Sequence, residues 1–184
     1  IGGEEWGAWQ SSSPWPYSET VADWIEENVV DYETIATGNG LEDNLNKIVG
    51  YNNTKAIEAY NAGHGDLYAV TAVKKIVKYR ETVPAPEKSS GWYLPSPKEL
   101  SLLGFGEFEG NIMDIGGGSS MIDTINAVLG TIEGAQTISN GMFWSSSEYS
   151  ENGNAFYTSL PGGKPDASMS NSSVAPNVRP IIAF

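Results

Sequence analysis

Gly91-Trp92-Tyr93-Leu94-Pro95-Ser96-Pro97-Lys98-Glu99-Leu100-Ser101-Leu102-Leu103 changes from strand chemistry to helix chemistry at a proline. Gly91 to Leu94 reads as a short strand, and Pro95 ends it because proline cannot continue a ladder. Ser96 and Glu99 have the spacing of a capping box, with Pro97 at the first helical position. Leu100, Leu102 and Leu103 give that short helix its apolar surface.

Upstream the apolar period is helical. Residues 1–17 read as an aromatic, proline-broken loop with Trp6, Trp9, Pro14, Trp15, Pro16 and Tyr17. From Ser18 to Tyr32, Val21, Trp24, Ile25 and Val29 form one stripe, with Ser18 as cap and Glu19 in the first turn. Thr37 to Gly40 is a turn. Leu41, Leu45, Ile48 and Val49 predict a helix ending at Gly50. A further helix starts at Asn53 or Thr54, carries Ala56, Ile57 and Tyr60, and ends in Gly63-His64-Gly65, which makes His64 a loop residue. Asp66 is the expected cap of the next helix, whose buried face is Val70, Val73, Ile76 and Val77. Pro84 and Pro86 stop it, and 83–90 is an exposed connector.

Downstream, residues 104–120 are glycine-rich and loop-like. Ile122, Ile125, Val128 and Leu129 predict one more amphipathic helix. Phe143-Trp144, Ala155-Phe156-Tyr157 and Val178 to Phe184 are strand-like runs separated by polar turns. Between Ser145 and Asn177 serine and asparagine dominate, so the acidity of the chain lies mostly upstream.

With 23 acidic and 10 basic residues in 184, the net charge of −13 repels nucleic acid. Lys74, Lys75, Lys78 and Arg80 suit a helix end rather than a phosphate site. There is no cysteine, which removes disulfides, thiol nucleophiles and thiolate metal sites. The single histidine, His64, nearly excludes a histidine-based metal centre. No apolar run is long enough for a membrane span, and no signal peptide is visible. Ile1-Gly2-Gly3 without a methionine reads as a processed or trimmed start.

No catalytic pattern stands out. Glu4/Glu5, Glu26/Glu27 and Glu42/Asp43 are adjacent pairs that point apart on a helix, which suits a solvated acidic face. Ser119-Ser120 and Ser145-Ser146-Ser147 lack the nucleophile elbow. Gly116-Gly117-Gly118-Ser119 has no following lysine and reads as a loop. Asp123, Glu148, Glu151, Asn152, Asn154 and Asp166 offer hard oxygens for a structural calcium, without EF-hand spacing. Tyr149, Asn152, Asn154, Tyr157, Ser159, Ser168, Ser170 and Asn171 have the composition of a recognition surface, tyrosine for contact area and serine and asparagine for hydrogen bonding. Ser173 belongs to the same stretch.

Three blocks stand in order: Gly91-Trp92-Tyr93-Leu94-Pro95-Ser96 with Glu99-Leu100, then Phe143-Trp144-Ser145-Ser146-Ser147-Glu148, then Val178-Arg179-Pro180-Ile181-Ile182-Ala183-Phe184. Together they resemble the surface domain common in gut Bacteroidetes, of the Fibrobacter succinogenes major paralogous type and the Legionella collagen-like protein C-terminal type. That family is similar to the C-type-lectin-like fold shared with the formylglycine-generating enzyme. The resemblance covers 91–184 and extends over 36–184, with 1–35 as an aromatic loop and helix of the same domain.

The resemblance implies an α+β fold of several helices around a small, twisted antiparallel sheet with long loops. Trp92 and Trp144 are then core anchors, Glu99 closes its helix cap, and Arg179 needs a partner, with Glu148 and Glu99 as candidates. The family's opening strands are not visible here. Cysteines and metal-binding histidines of the enzyme relatives are missing, so oxidase activity does not carry over. The calcium-dependent sugar signatures of lectins are missing too. One subset of the fold is the variable protein of diversity-generating retroelements, whose C-terminal segment is mutated at adenines; 145–177 looks like that segment. The expected role is a non-catalytic adhesin or ligand-binding domain on the outer cell surface, reached after removal of a targeting segment. Its partner would be a surface protein or glycan, and its carrier a lipid-anchored stalk or pilus tip. Two alternatives stay open: a structural pilus or surface-assembly subunit, and a glycoside hydrolase using two of the carboxylates.

Overall fold

The computed structural model describes residues 6–7, 20–29, 45–116, 120–150, 154–169 and 176–184. Among these residues five helices and a three-stranded antiparallel sheet form an α+β fold. The helices are α1 (Val21–Asn28), α2 (Gly50–Tyr68), α3 (Thr71–Thr82), α4 (Pro97–Phe105) and α5 (Ile122–Leu129). A 3-10 turn spans Ile112–Asp114. The strands are β1 (Gly141–Ser150), β2 (Asn154–Leu160) and β3 (Pro165–Met169), in the order β1-β2-β3.

Successive strand residues face opposite sides, and cross-strand partners share a side. Trp144 pairs with Tyr157 and Glu148 with Ala155, so these four share a side. There Trp144 and Ala155 join Trp6, Ile25, Ile57, Ile76, Leu94 and Val178 in the largest core, built with α1, α2 and α3. On the opposite side Phe143 and Leu160 pack with Leu100, Ile122 and Ile138 over α4 and α5. Phe156, also on that side, packs with Leu45, Ile112 and Ile115. The sheet is therefore covered on both faces, which its mixed rather than alternating hydrophobicity conceals.

The local signals of α4 hold. Ser96 accepts from the Glu99 amide, Glu99 accepts from the Ser96 amide at 2.7 Å, and Pro97 opens the helix. Gly104 lets this helix touch the β2–β3 turn. A Cβ there would collide with the Leu160 side chain and come within 2.9 Å of the Gly163 backbone. Ser101 Oγ donates to the Gly163 carbonyl at 2.5 Å across the same contact.

Several sequence expectations are corrected. Thr20, not Ser18, caps α1, in a capping box with Asp23. Gly50 opens a helix rather than closing one, and glycine is needed there for space: a Cβ would strike Glu99 Oε2 and lie 2.6 Å from the Ser96 nitrogen. Asp66 does not cap α3; its carboxylate meets Lys74 at 2.6 Å, while Asn61 brackets Val70 through both its amide and its carbonyl. His64 is not a loop residue. It lies in α2 just before the kink at Gly65, stacks on Tyr60 at 4.0 Å and meets the edge of Trp24 at 5.1 Å. Gly91–Leu94 and Val178–Phe184 are not full strands, since they share a single bridge, Tyr93 with Ile181. The helix expected from Leu41 to Gly50 is not formed over 46–49, where Ile48 is exposed; its residues 41–44, like Gly117 to Ser119, fall outside the described residues.

Candidate functional site

The segment expected to be a polar recognition loop begins as core. Ser145, Ser146, Ser147 and Glu148 are all buried. Here β1 is longer than its partner: four steps from Trp144 to Glu148 face two steps from Tyr157 to Ala155. Such a bulge turns ladder groups away from the neighbouring strand. Buried backbone groups need other partners, and small hydroxyl side chains help supply them. Trp6 Nε1 donates to the Ser145 carbonyl at 2.7 Å, and the Ser146 amide donates to the Pro95 carbonyl at 2.8 Å. The Asn53 side-chain amide donates to the Ser146 carbonyl and to the hydroxyls of Ser146 and Ser147. Ser145 Oγ donates to the Phe156 carbonyl.

Glu148 ends this knot. Its two oxygens accept from the Val21 and Ala22 amides at 3.3 and 2.9 Å. These are the first amides of α1, which have no partner inside the helix. Burial pushes the Glu148 carboxyl up to about 8, against the two amide bonds that favour its charge; the nearby Asp23 adds to the rise. Glu99 has a parallel role, accepting from the Gly50 amide, the Ser96 amide and the Tyr93 hydroxyl. Burial and the Glu99 charge raise the Tyr93 phenol above the ordinary tyrosine range. Both motif glutamates thus tie the amino end of a distant helix to the sheet or to α4.

That geometry corrects the expected partnership of Arg179. Neither Glu148 nor Glu99 reaches it, because each is held by backbone amides. Among the described residues no carboxylate lies within ion-pair distance of its guanidinium. Burial lowers its pKa, while the nearby Tyr79 phenol acts in the opposite direction. Trp144 is fully buried, whereas Trp92 is half-buried, donates its indole N–H to the Val83 carbonyl at 2.9 Å, and meets Tyr79 edge-on.

The expected recognition residues are divided between surfaces. Tyr157 packs on the Trp144 side and donates its hydroxyl to Asp166 at 3.1 Å. Tyr149 is exposed and meets Phe156 edge-on, on the other side of the sheet. Ser159 is exposed opposite Met142. Asn154 is placed by its pairing with Ser150 and Met169, and Ser168 by its pairing with Ala155. Asn152, Ser170, Asn171 and Ser173 lie outside the described residues, as does Glu151. The two tyrosines therefore cannot form one flat face.

For the candidate calcium ligands, no three Asp, Glu or His side chains converge among the described residues. No helix among the described residues is long and apolar enough to cross a membrane. A groove of about 730 Å³ runs past Arg179, between Trp92, Tyr79 and the segment 134–139. A second, of about 700 Å³, lies along α2 and α3, where Glu58, Asp66 and Glu81 accompany Lys74, Lys75 and Lys78. Sequence reasoning missed the Arg179 groove because residues from four distant stretches build it. An arginine alone in an apolar run was the one local signal.

The fold is similar to a solved fimbrial protein from Bacteroides ovatus, with a TM-score of 0.63 at 16% identity. The match covers 98% of this chain and 32% of that protein, so the chain spans about a third of its length. No family model matches the chain. No curated protein matches it either.

Proposed function

We propose that this chain is a C-type-lectin-like domain of a Bacteroidetes cell-surface protein that works within a fimbrial or related surface assembly, by contact rather than catalysis. The observation that carries this reading is the near-complete structural match to part of a Bacteroides fimbrial protein. Two features agree with it. The ordered motif blocks resemble those of a surface-domain family, and the two motif glutamates are committed to holding helix ends rather than to a reactive centre.

A second reading, ligand binding by an adhesin, is favoured by the exposure of Tyr149 on β1 and Ser159 on β2. In that reading the contact residues are Tyr149, Asn152, Asn154, Tyr157, Ser159, Ser168, Ser170 and Asn171. The partner is a surface protein or glycan. Any sequence-diversified region would have to begin at Tyr149, since replacing Ser145 to Glu148 breaks the buried knot.

Immunogold electron microscopy of intact cells, with antibodies raised against the purified domain, tests the main reading. Gold along or at the ends of surface fibres is expected. Gold confined to the cell interior would overturn it.

A further inference from the structure

The Arg179 groove has the features of a built anion site. Arg179 is held between two backbone clamps. On one side Asn177 pairs with β1, through Trp144 N–H to its carbonyl at 3.0 Å and its own N–H to Met142 at 2.8 Å. On the other, Ile181 exchanges two 3.0 Å bonds with Tyr93. Val178 between them is buried, and Arg179 lines the groove. The guanidinium is half-buried and has no carboxylate partner among the described residues. In a chain of 23 acidic residues, no aspartate or glutamate among the described residues lines the groove. Leaving a cation partly desolvated and uncompensated is costly, and a bidentate carboxylate is its best partner.

The walls indicate which carboxylate. Ile138 turns its amide and carbonyl to the Asn126 side chain, at 2.7 and 2.8 Å. Its neighbours Gln136, Thr137 and Ser139 are exposed, line the groove, and make no hydrogen bond within the described residues. A chain segment presenting unused backbone donors and acceptors suits an incoming peptide backbone, as in strand addition. Across the groove, the half-buried Trp92 offers apolar surface to a side chain of such a peptide. A volume of about 730 Å³ lies in the range of ligand sites.

We propose that the groove between segment 136–139 and Arg179 binds a short acidic peptide segment of another polypeptide, its carboxylate clasped by Arg179 and its backbone running along residues 136–139. This goes beyond the surface-assembly reading and does not depend on where the protein resides.

The test is an NMR titration of the 15N-labelled chain with a blocked peptide of alternating threonine and valine carrying one central glutamate. Its glutamine counterpart and glucuronate are titrated separately. Saturable shifts at the 136–139 amides and the Trp92 indole are expected with the glutamate peptide, at least ten-fold weaker with the glutamine peptide, and lost in Arg179→Gln. Thr137→Glu, an exposed change that leaves the core untouched, is expected to weaken binding at least ten-fold, and this keeps the test decisive if Arg179→Gln unfolds. Absence of saturable shifts overturns the proposal, as does equal binding of the two peptides or of Thr137→Glu. Stronger shifts with glucuronate than with the peptide overturn it in favour of an acidic-sugar site.

Discussion

Replacing Glu148 with glutamine separates the two forces acting on this carboxyl. In the unfolded chain it titrates near 4.5, and in the folded protein burial pushes it up to about 8. A raised carboxyl pKa stabilises the fold fully only below the unfolded value. Above pH 4.5 the unfolded state releases a proton that the folded state keeps, so stability falls until about pH 8. The slope is at most about 1.4 kcal/mol per pH unit, which sums to a ceiling of about 5 kcal/mol across that interval. Glu148→Gln cannot ionise and keeps one acceptor for the Val21 and Ala22 amides, losing about 1 kcal/mol for the other at every pH. Urea denaturation at pH 5, 6, 7 and 8 reads both proteins. The wild type should be the more stable at pH 5, and the variant should overtake it by pH 8. The reasoning fails if the gap stays constant, or if the wild type gains on the variant as pH rises. The latter would mean that the α1 amides outweigh burial.

Other perturbations test the packing. Gly104→Ala should cost about 1–3 kcal/mol by overpacking against Leu160 and Gly163, read as a drop of several degrees in melting temperature. Asn53→Ala leaves the buried acceptors at Ser146 and Ser147 without their donor and should cost about 1–3 kcal/mol in a denaturant melt. Tyr157→Ala should destabilise more than Tyr149→Ala in the same assay, because Tyr157 packs against the buried Trp144 while Tyr149 is exposed. Equal losses would contradict the unequal burial of the two rings.

What the sequence disclosed was local. Ser96, Pro97 and Glu99 lie within one turn, and their capping box formed as the spacing implied. The helix α5 was legible for the same reason, with Ile122, Ile125 and Leu129 packed inward, although Val128 of the expected stripe is exposed. Where a partner is remote the pattern was silent: Glu148 acts on Val21, 127 residues away, and no spacing rule links them. Gly50 has the look of a helix stop, yet its lack of a side chain serves the close approach of Glu99. The strand β3 escaped notice because Pro165, Asp166, Ala167, Ser168 and Met169 show little alternation; pairing with β2, not propensity, makes it a strand. Arg179 was recognised as needing a partner, but the groove around it depends on Tyr79, Trp92 and Thr137, which only folding brings together.

The central claim, that this domain serves a surface fimbrial assembly, is tested most directly by shearing fibres from intact cells and probing the fibre and cell fractions with antibody to the domain. The account predicts that the domain is enriched in the sheared fibres and leaves the surface when they do. Retention of all the antigen in the cell fraction, with fibres recovered free of it, would contradict it.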